Sequence, residues 1–347
     1  MAESVECGAV FLRQQLLLVT PVLLLASLSE TGVPGADSEV APWAWAAFIG
    51  LIVALLFADL VLFHRDAHEI SIREAAITSA VWIAFGLSFS LVILWTLGGA
   101  AAGQYLTGYV IEKSLSIDNV FLWAVILSYF AVPKAYQHRV LFWGVFGALV
   151  LRAIFIFAGV ALLNAFDWML YVFGAFLVIT AWRVAHHSEQ DIHPEHNPVL
   201  KLMRRLVPVT NEYHGQKFWT KIDAKRVATP LMVVLVLVEA TDVVFAVDSI
   251  PAILAITRSE FIAFTSNAFA ILGLRALYFL VVGATGKLRY LNVGLGIILG
   301  FVGVKMLLAE VFHIPTLASL AVITVVLSAT VALSLRAEQQ DHPKAPT

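Results

Sequence analysis

The chain has 347 residues, of which 60% are hydrophobic and only 13% are charged. A soluble domain usually carries about a quarter charged residues, because its surface must be covered by polar groups. The mean hydropathy of +0.88 and the net charge of −2 therefore argue against a soluble, disordered or nucleic-acid-binding protein. The single cysteine, Cys7, excludes an internal disulfide framework and a cysteine zinc cluster. The composition predicts a polytopic membrane protein.

Residues 1–42 precede the first full-length apolar stretch. Within them, residues 14–29 form a shorter apolar run that follows Arg13. Its length is typical of a signal-peptide core or of a short extra span, and the sequence leaves both interpretations open. In either case the remainder of this segment is predicted to be a linker on the outer side of the membrane.

Nine apolar stretches are long enough to cross a hydrocarbon core about 30 Å thick. They lack the alternation of a barrel strand, so we predict an all-α fold with about nine transmembrane helices in a domain spanning residues 43–335. The predicted spans are residues 43–63, 77–97, 105–130, 139–163, 166–185, 229–256, 260–283, 290–311 and 314–335.

The basic residues between these spans predict the orientation of the chain. Sixteen Lys and Arg residues fall in one set of alternate connections, and the opposite set holds only Arg258. Because Lys and Arg accumulate on the cytoplasmic side, the first core helix should begin outside. The connector 186–228 and the tail 336–347 should then be cytoplasmic.

Two segments, 105–185 and 229–311, resemble each other. The acid-to-acid interval is six residues in both, from Glu112 to Asp118 and from Asp242 to Asp248, and a Leu-Arg-Ala sequence follows in each. The orientation gives the two segments opposite directions, so we predict an inverted-topology repeat of three helices. Pro251 predicts a helix break close to the second acid pair, which could bring both of its acids into one site.

Acidic residues inside the predicted spans are the candidate site, because a carboxylate at lipid depth is costly unless it is needed. Carboxylate and amide oxygens suit Mn²⁺, Mg²⁺ or Ca²⁺, which would be transported rather than tightly bound as a cofactor. The predicted ion-binding residues are Glu112, Asp118, Asn119, Asp242, Asp248 and Ser249, with Asp59, Glu239 and Asn267 as possible support.

An alternative role for these acids is internal ion pairing. Lys113, Arg152 and Arg275 could neutralise three of them, and we interpret Arg152 and Arg275 as structural counter-charges. The acids within the spans still outnumber the bases, which favours a cation. For Glu112, a second alternative is a solvated position at the outer interface.

Two further patterns bear on packing and on enzymatic activity. Glycines at positions 294, 296, 300 and 303 predict close contact between helices. The chain contains no GxSxG, P-loop or HExxH motif, so we do not expect it to be an enzyme.

Several long motifs resemble the TerC family of integral membrane proteins. They read LTGYVIEKSLSIDNVFLW, FDWMLYVFGAFL, VEATDVVFAVDSIPAI and TSNAFAILGLRALYF. The resemblance extends over most of residues 43–335. The family's acidic motif positions fall on Glu112, Asp118, Asp242 and Asp248.

This resemblance implies a multi-pass protein of the bacterial inner membrane, in a family named for tellurium resistance. It also implies efflux of metal ions, with manganese the best candidate, and a role in supplying metal to exported metalloproteins. The alternative function is a non-transporting membrane scaffold in a metal-stress or metallation complex. The expected partners are divalent metal ions, the lipid bilayer and such membrane or exported proteins, without nucleic acid.

Overall fold

The structure is a computed structural model. It describes residues 40–62, 71–166, 168–186, 200, 203, 205–210, 212–222, 225–284, 290–308 and 316–341. The predicted signal-like segment, residues 187–199 of the connector and the last six residues of the tail lie outside this part.

The described chain is mostly helical, and each predicted span coincides with helix. The helices are α1 (Pro42–Leu62), α2 (Ile72–Leu97), α3 (Gly99–Tyr129), α4 (Lys134–Ala165), α5 (Met169–His186), α6 (Pro230–Leu254), α7 (Glu260–Leu272), α8 (Leu274–Ala284), α9 (Leu291–Leu307) and α10 (Thr316–Asp341). Helix α10 continues six residues past the predicted end of the last span, into the predicted tail.

Five of the described helical segments are long and apolar enough to cross a membrane. They are Pro42–Asp59, Arg73–Leu97, Lys134–Ala165, Pro230–Leu254 and Glu260–Leu280. Shorter apolar helices occupy three more predicted spans, at Met169–Trp182, Gly296–Lys305 and Ala321–Ser334. These helices support a multi-pass membrane protein, whereas the total of nine membrane spans stays a prediction.

The helix breaks differ from the one predicted at Pro251. Helix α6 runs without interruption through positions 242 and 248 and past Pro251 to Leu254, so the predicted break is wrong. Pro251 lies one turn before the end of the helix, and its nitrogen cannot donate a backbone hydrogen bond. An interruption falls instead at Gly273, between α7 and α8. Another falls at Gly98, whose φ of +89° favours glycine.

Helix α3 lies among the other helices and carries the most buried polar residues. It packs against α2, α6, α7, α8 and α10, and residues 105–114 are buried without exception. The surrounding helices therefore shield the charged residues of α3, which would be costly on a lipid-facing surface. Helix α3 thus provides the centre on which the candidate site is built.

Helices α5 and α9 pack most closely, and glycine permits their approach. A Cβ on Gly303 would lie 2.9 Å from the backbone oxygen of Gly174 and 3.0 Å from Leu177 Cβ. At Gly294 a Cβ would collide with the side chain of Thr330 of α10. The predicted close packing is confirmed at these two glycines.

A short antiparallel hairpin precedes α6, although the sequence predicted only a connector there. Strands β1 (Trp219–Ile222) and β2 (Lys225–Ala228) pair with Trp219 opposite Ala228 and Lys221 opposite Arg226. The chain then enters α6 through Thr229, whose hydroxyl donates to the backbone oxygen of Lys217 at 2.6 Å. The hairpin is therefore attached directly to the beginning of a candidate membrane span.

Candidate functional site

Side chains from three helices, α3, α6 and α7, converge on Arg152, which α4 holds in a fully buried position. One guanidinium nitrogen, Nη1, donates to Glu112 Oε1 of α3. The other, Nη2, donates to Asp242 Oδ1 of α6 at 3.2 Å. The guanidinium therefore bridges carboxylates on two helices that occupy equivalent positions in the proposed repeat.

Neutral polar groups also contact these charged side chains. Together they form the central cluster, which consists of Arg152, Glu112, Asp242, Ser249, Asn267 and Ser116. Ser249 Oγ and Asn267 Oδ1 lie 3.2 and 3.4 Å from Arg152 Nη1. The amide nitrogen of Asn267 donates to Glu112 Oε2 at 3.0 Å, and Ser116 Oγ lies 3.4 Å from Oε1 of the same carboxylate. Each of these side chains is buried, so the cluster is shielded from both lipid and bulk water.

The cluster contains more acid than base among the described side chains. Glu112 and Asp242 together balance one guanidinium, and Asp242 Oδ2 has no hydrogen-bond partner in the described part of the chain. An unpartnered buried carboxylate oxygen is costly. The arrangement can therefore accept a further positive charge, whether a proton or a metal ion.

The predicted ion-binding residues are brought together only in part. Glu112, Asp242, Ser249 and the supporting Asn267 lie in one cluster, but around Arg152 rather than around an open space. No group of three or more His, Cys, Asp or Glu side chains with metal-site geometry occurs among the residues that the structure describes.

The other two predicted acids fall on continuous helices. The side chains of Asp118 and Asp248 lie outside the described part, although α3 and α6 pass through both positions. A six-residue step on a helix turns by about 600°, which leaves the two positions of each pair about 120° apart around the axis. A break at Pro251 would have allowed positions 242 and 248 to face one site. Because α6 is continuous, the two positions stay on different faces of the helix.

Asn119 lies on α3 and is 1% exposed. Neither atom of its amide has a hydrogen-bond partner within the described residues. It follows Glu112 by seven residues, which places the two on nearly the same face of the helix.

Asp59 and Arg275 form a second buried ion pair, which joins α1 to α8. Asp59 was predicted as possible support for the ion site, and the structure places it on Arg275. The predicted counter-charge Arg275 is the ion-pair partner of this carboxylate. At the other end of α1, the ring centroids of Trp45 and Phe261 lie 5.1 Å apart.

Glu239 and Lys113 flank the central cluster. The Glu239 carboxylate lies against Gly147 of α4, and its Oε2 has no partner among the described residues. The buried Lys113 ammonium donates to the backbone oxygen of Ala270 at 3.1 Å, close to the α7–α8 interruption. A cation is favourable there because carbonyls at a helix C-terminus carry partial negative charge.

Ser116 was not predicted as part of the site. It lies four residues after Glu112, and a spacing of four on a helix places both side chains on one face. This spacing was the signal that could have identified it from the sequence.

Comparisons with known proteins agree with this architecture. The family model for the integral membrane protein TerC family matches residues 97–342. An uncharacterized membrane protein of Myxococcus xanthus is 47% identical, over 85% of this chain and 92% of its own length. A candidate membrane-bound redox modulator, Alx, is 43% identical in Photorhabdus laumondii, over 86% of this chain and 96% of its own. The Alx protein of Escherichia coli K12 is 45% identical, over 81% and 91% respectively.

No solved structure matches the chain. The family match extends over more than half of the sequence and includes every helix of the central cluster. The relatives match nearly their entire length. The chain belongs to the TerC family of integral membrane proteins.

Proposed function

We propose that this protein exports divalent metal ions across the bacterial inner membrane, with Mn²⁺ as the first candidate cargo. The observation that carries the proposal is the central cluster. Two buried carboxylates, Glu112 and Asp242, share one guanidinium, and a carboxylate oxygen of Asp242 has no partner among the described residues. Hard oxygen groups of this kind suit Mn²⁺, Mg²⁺ and Ca²⁺.

Arg152 occupies the position between the acids that a divalent ion would take. We propose that the arriving ion competes with the guanidinium for Glu112 and Asp242, and that Ser249 and Asn267 contribute neutral oxygens. The guanidinium then neutralises the acids when no ion is bound, which lowers the cost of keeping them buried. Asp118, Asp248 and Asn119 belong to the same proposal as further ligands along the helices.

The packing of the helices supports an inverted repeat. Helix α3 packs on α7 as α6 packs on α4, which is the reciprocal pair of contacts that a twofold relation between 105–185 and 229–311 requires. The equivalent helices α3 and α6 contact each other, as do α5 and α9. Transporters built from inverted repeats alternate access around a site at the repeat interface, where Glu112 and Asp242 lie.

Reconstituted flux tests the proposal. Purified protein in liposomes should transport Mn²⁺ along an imposed gradient, measured with an entrapped metal-sensitive dye. Asp242→Asn and Glu112→Gln should each reduce the initial rate at least tenfold, because each removes a charge that binds the ion. Glu212→Gln is the matched control, since Glu212 is exposed and outside the helices.

The same assay defines the outcomes that would overturn the proposal. Wild-type rates in both central variants, or in Asp118→Asn and Asp248→Asn, would contradict the site. A panel of Mn²⁺, Mg²⁺, Ca²⁺ and Zn²⁺ identifies the cargo. In manganese-sensitive cells, expression should lower intracellular manganese, and any effect on tellurium resistance would be indirect.

The second candidate function is a membrane scaffold in a metal-stress or metallation complex. The hairpin β1–β2 favours it, because it presents a folded, charged surface beside the membrane spans. The name of the Alx relatives indicates redox modulation, but one cysteine cannot form an internal disulfide couple. A scaffold would bind exported metalloproteins or membrane partners and show no metal flux in liposomes without them.

A further inference from the structure

The β1–β2 hairpin lies against the ends of α3, α4 and α6, and the last two of these helices are candidate membrane spans. Tyr213 donates its hydroxyl to the backbone oxygen of Phe130, in the turn between α3 and α4, at 2.6 Å. The Arg139 guanidinium of α4 lies 5.4 Å from the centre of the Phe218 ring, just before β1. Thr229 connects the other end of the hairpin to α6. These contacts hold the hairpin beside the beginnings of two candidate membrane spans, α4 and α6.

The strand register collects basic side chains on one face of this hairpin. Directly opposed residues of an antiparallel pair point to the same side, so Lys221 and Arg226 share a face with Trp219. Lys217 precedes Trp219 by two residues. These side chains, with Thr220, line an open surface pocket of about 700 Å³.

The charges of this basic face are unbalanced among the described residues. Like charges directly opposite each other destabilise a strand pair, yet Lys221 and Arg226 face each other. Neither they nor Lys217 forms an ion pair with any side chain that the structure describes. Trp219 on the same face is 44% exposed. A bound anion would offset the repulsion, and the indole favours the membrane–water interface.

We propose that this basic face binds the phosphate of an anionic phospholipid headgroup in the adjacent leaflet. Lys217, Lys221 and Arg226 would contact the phosphate, while Trp219 lies beside the acyl-chain boundary. The attachment of the hairpin to α3, α4 and α6 places the pocket where lipid headgroups lie, which favours lipid over a soluble anion. Basic groups near an anionic membrane surface each contribute about fivefold to binding.

Lipid binding to the purified full-length chain tests this site without any measurement of ion flux. Phosphatidylglycerol and phosphatidylcholine are titrated separately in detergent, and bound lipids are counted by native mass spectrometry. Lys221→Gln combined with Arg226→Gln should weaken phosphatidylglycerol binding by about tenfold to thirtyfold. Lys225→Gln is the matched control, because Lys225 is exposed on the opposite face of the same hairpin.

Thermal unfolding checks that the variants fold. Phosphatidylglycerol should raise the unfolding temperature of the wild-type protein and of Lys225→Gln, and this gain should be lost in the double variant. Equal weakening by Lys225→Gln would show a nonspecific charge effect and overturn the proposal. So would equal affinity for phosphatidylcholine, or full competition by millimolar inorganic phosphate, which would identify a soluble anion as the ligand.

Discussion

At Arg152, one guanidinium contacts carboxylates on two different helices, Glu112 on α3 and Asp242 on α6. Breaking a buried ion pair by removing one partner is more damaging than removing all the charges, because the remaining charge is left uncompensated. The two acids of this cluster depend on the same base. Their burial is therefore tolerated only while Arg152, a proton or a metal ion is present.

Arg152→Gln should lower the free energy of unfolding by about 3–5 kcal/mol, since it leaves two buried carboxylates without their base. Replacing both acids as well, in Glu112→Gln/Arg152→Gln/Asp242→Asn, should recover most of this loss. Thermal unfolding in detergent measures both effects. Arg73→Gln is the control, because Arg73 is an exposed arginine outside the cluster. Unchanged stability of Arg152→Gln would contradict a structural role for the ion pairs.

Much of the central cluster could be predicted from residue types, but its geometry could not. Buried acids repeated at a fixed spacing indicated Glu112 and Asp242, since such charges are rare in spans. The position of Arg152 between the two acids depends on how α4 packs against α3 and α6, which spacing within one helix does not contain. The break expected at Pro251 did not occur, and α6 continues past this residue to Leu254.

At the scale of elements, glycine positions determine how closely α5 and α9 approach. Gly300 and Gly303 lie on the same helix, but only Gly303 touches the backbone of α5. The sequence indicated that these glycines permit close packing. Which of them faces α5 depends on the rotation of α9 about its axis, which the sequence does not contain. Within one turn of α9, an added Cβ would therefore be crowded at Gly303 but would make an ordinary contact at Gly300.

Gly303→Ala should destabilise the protein by about 1–3 kcal/mol, because the new Cβ would lie 2.9 Å from Gly174 O. Gly300→Ala is the matched control, since its Cβ would lie 3.5 Å from Ala181 Cβ, an ordinary contact. Alanine also has a higher helix propensity than glycine. The free energy of unfolding of the control should therefore be unchanged or higher by up to about 1 kcal/mol. Thermal unfolding in detergent compares the two, and equal effects would contradict the close contact at Gly303.

At the scale of the whole molecule, hydropathy predicted the helices well because each span must satisfy its own backbone hydrogen bonds. The β1–β2 hairpin was missed, since the alternation in Trp219–Ile222 is too short to distinguish from a polar connector. Its position follows from contacts with the turn between α3 and α4. It immediately precedes α6, so positions in the hairpin and after the end of α6 make the predicted orientation testable.

Cysteine labelling on either side of α6 tests that orientation. In a Cys7→Ser background, Lys225→Cys and Arg258→Cys each introduce one thiol, at exposed positions before and after α6. The distribution of basic residues predicts that 225 is cytoplasmic and 258 outside. A membrane-impermeant maleimide should therefore label 258 in right-side-out vesicles and 225 in inside-out vesicles, while Cys7→Ser alone stays unlabelled.

The two labelling patterns also discriminate between errors of orientation and errors of topology. Labelling of 225 from outside and of 258 from inside would mean that the chain is inserted in the opposite sense. The inverted repeat would survive, because both halves would turn over together. Labelling of both positions from one side would mean that α6 does not cross the membrane. In that case α3 and α6 could not be related as oppositely directed spans, and alternating access around Glu112 and Asp242 would be excluded.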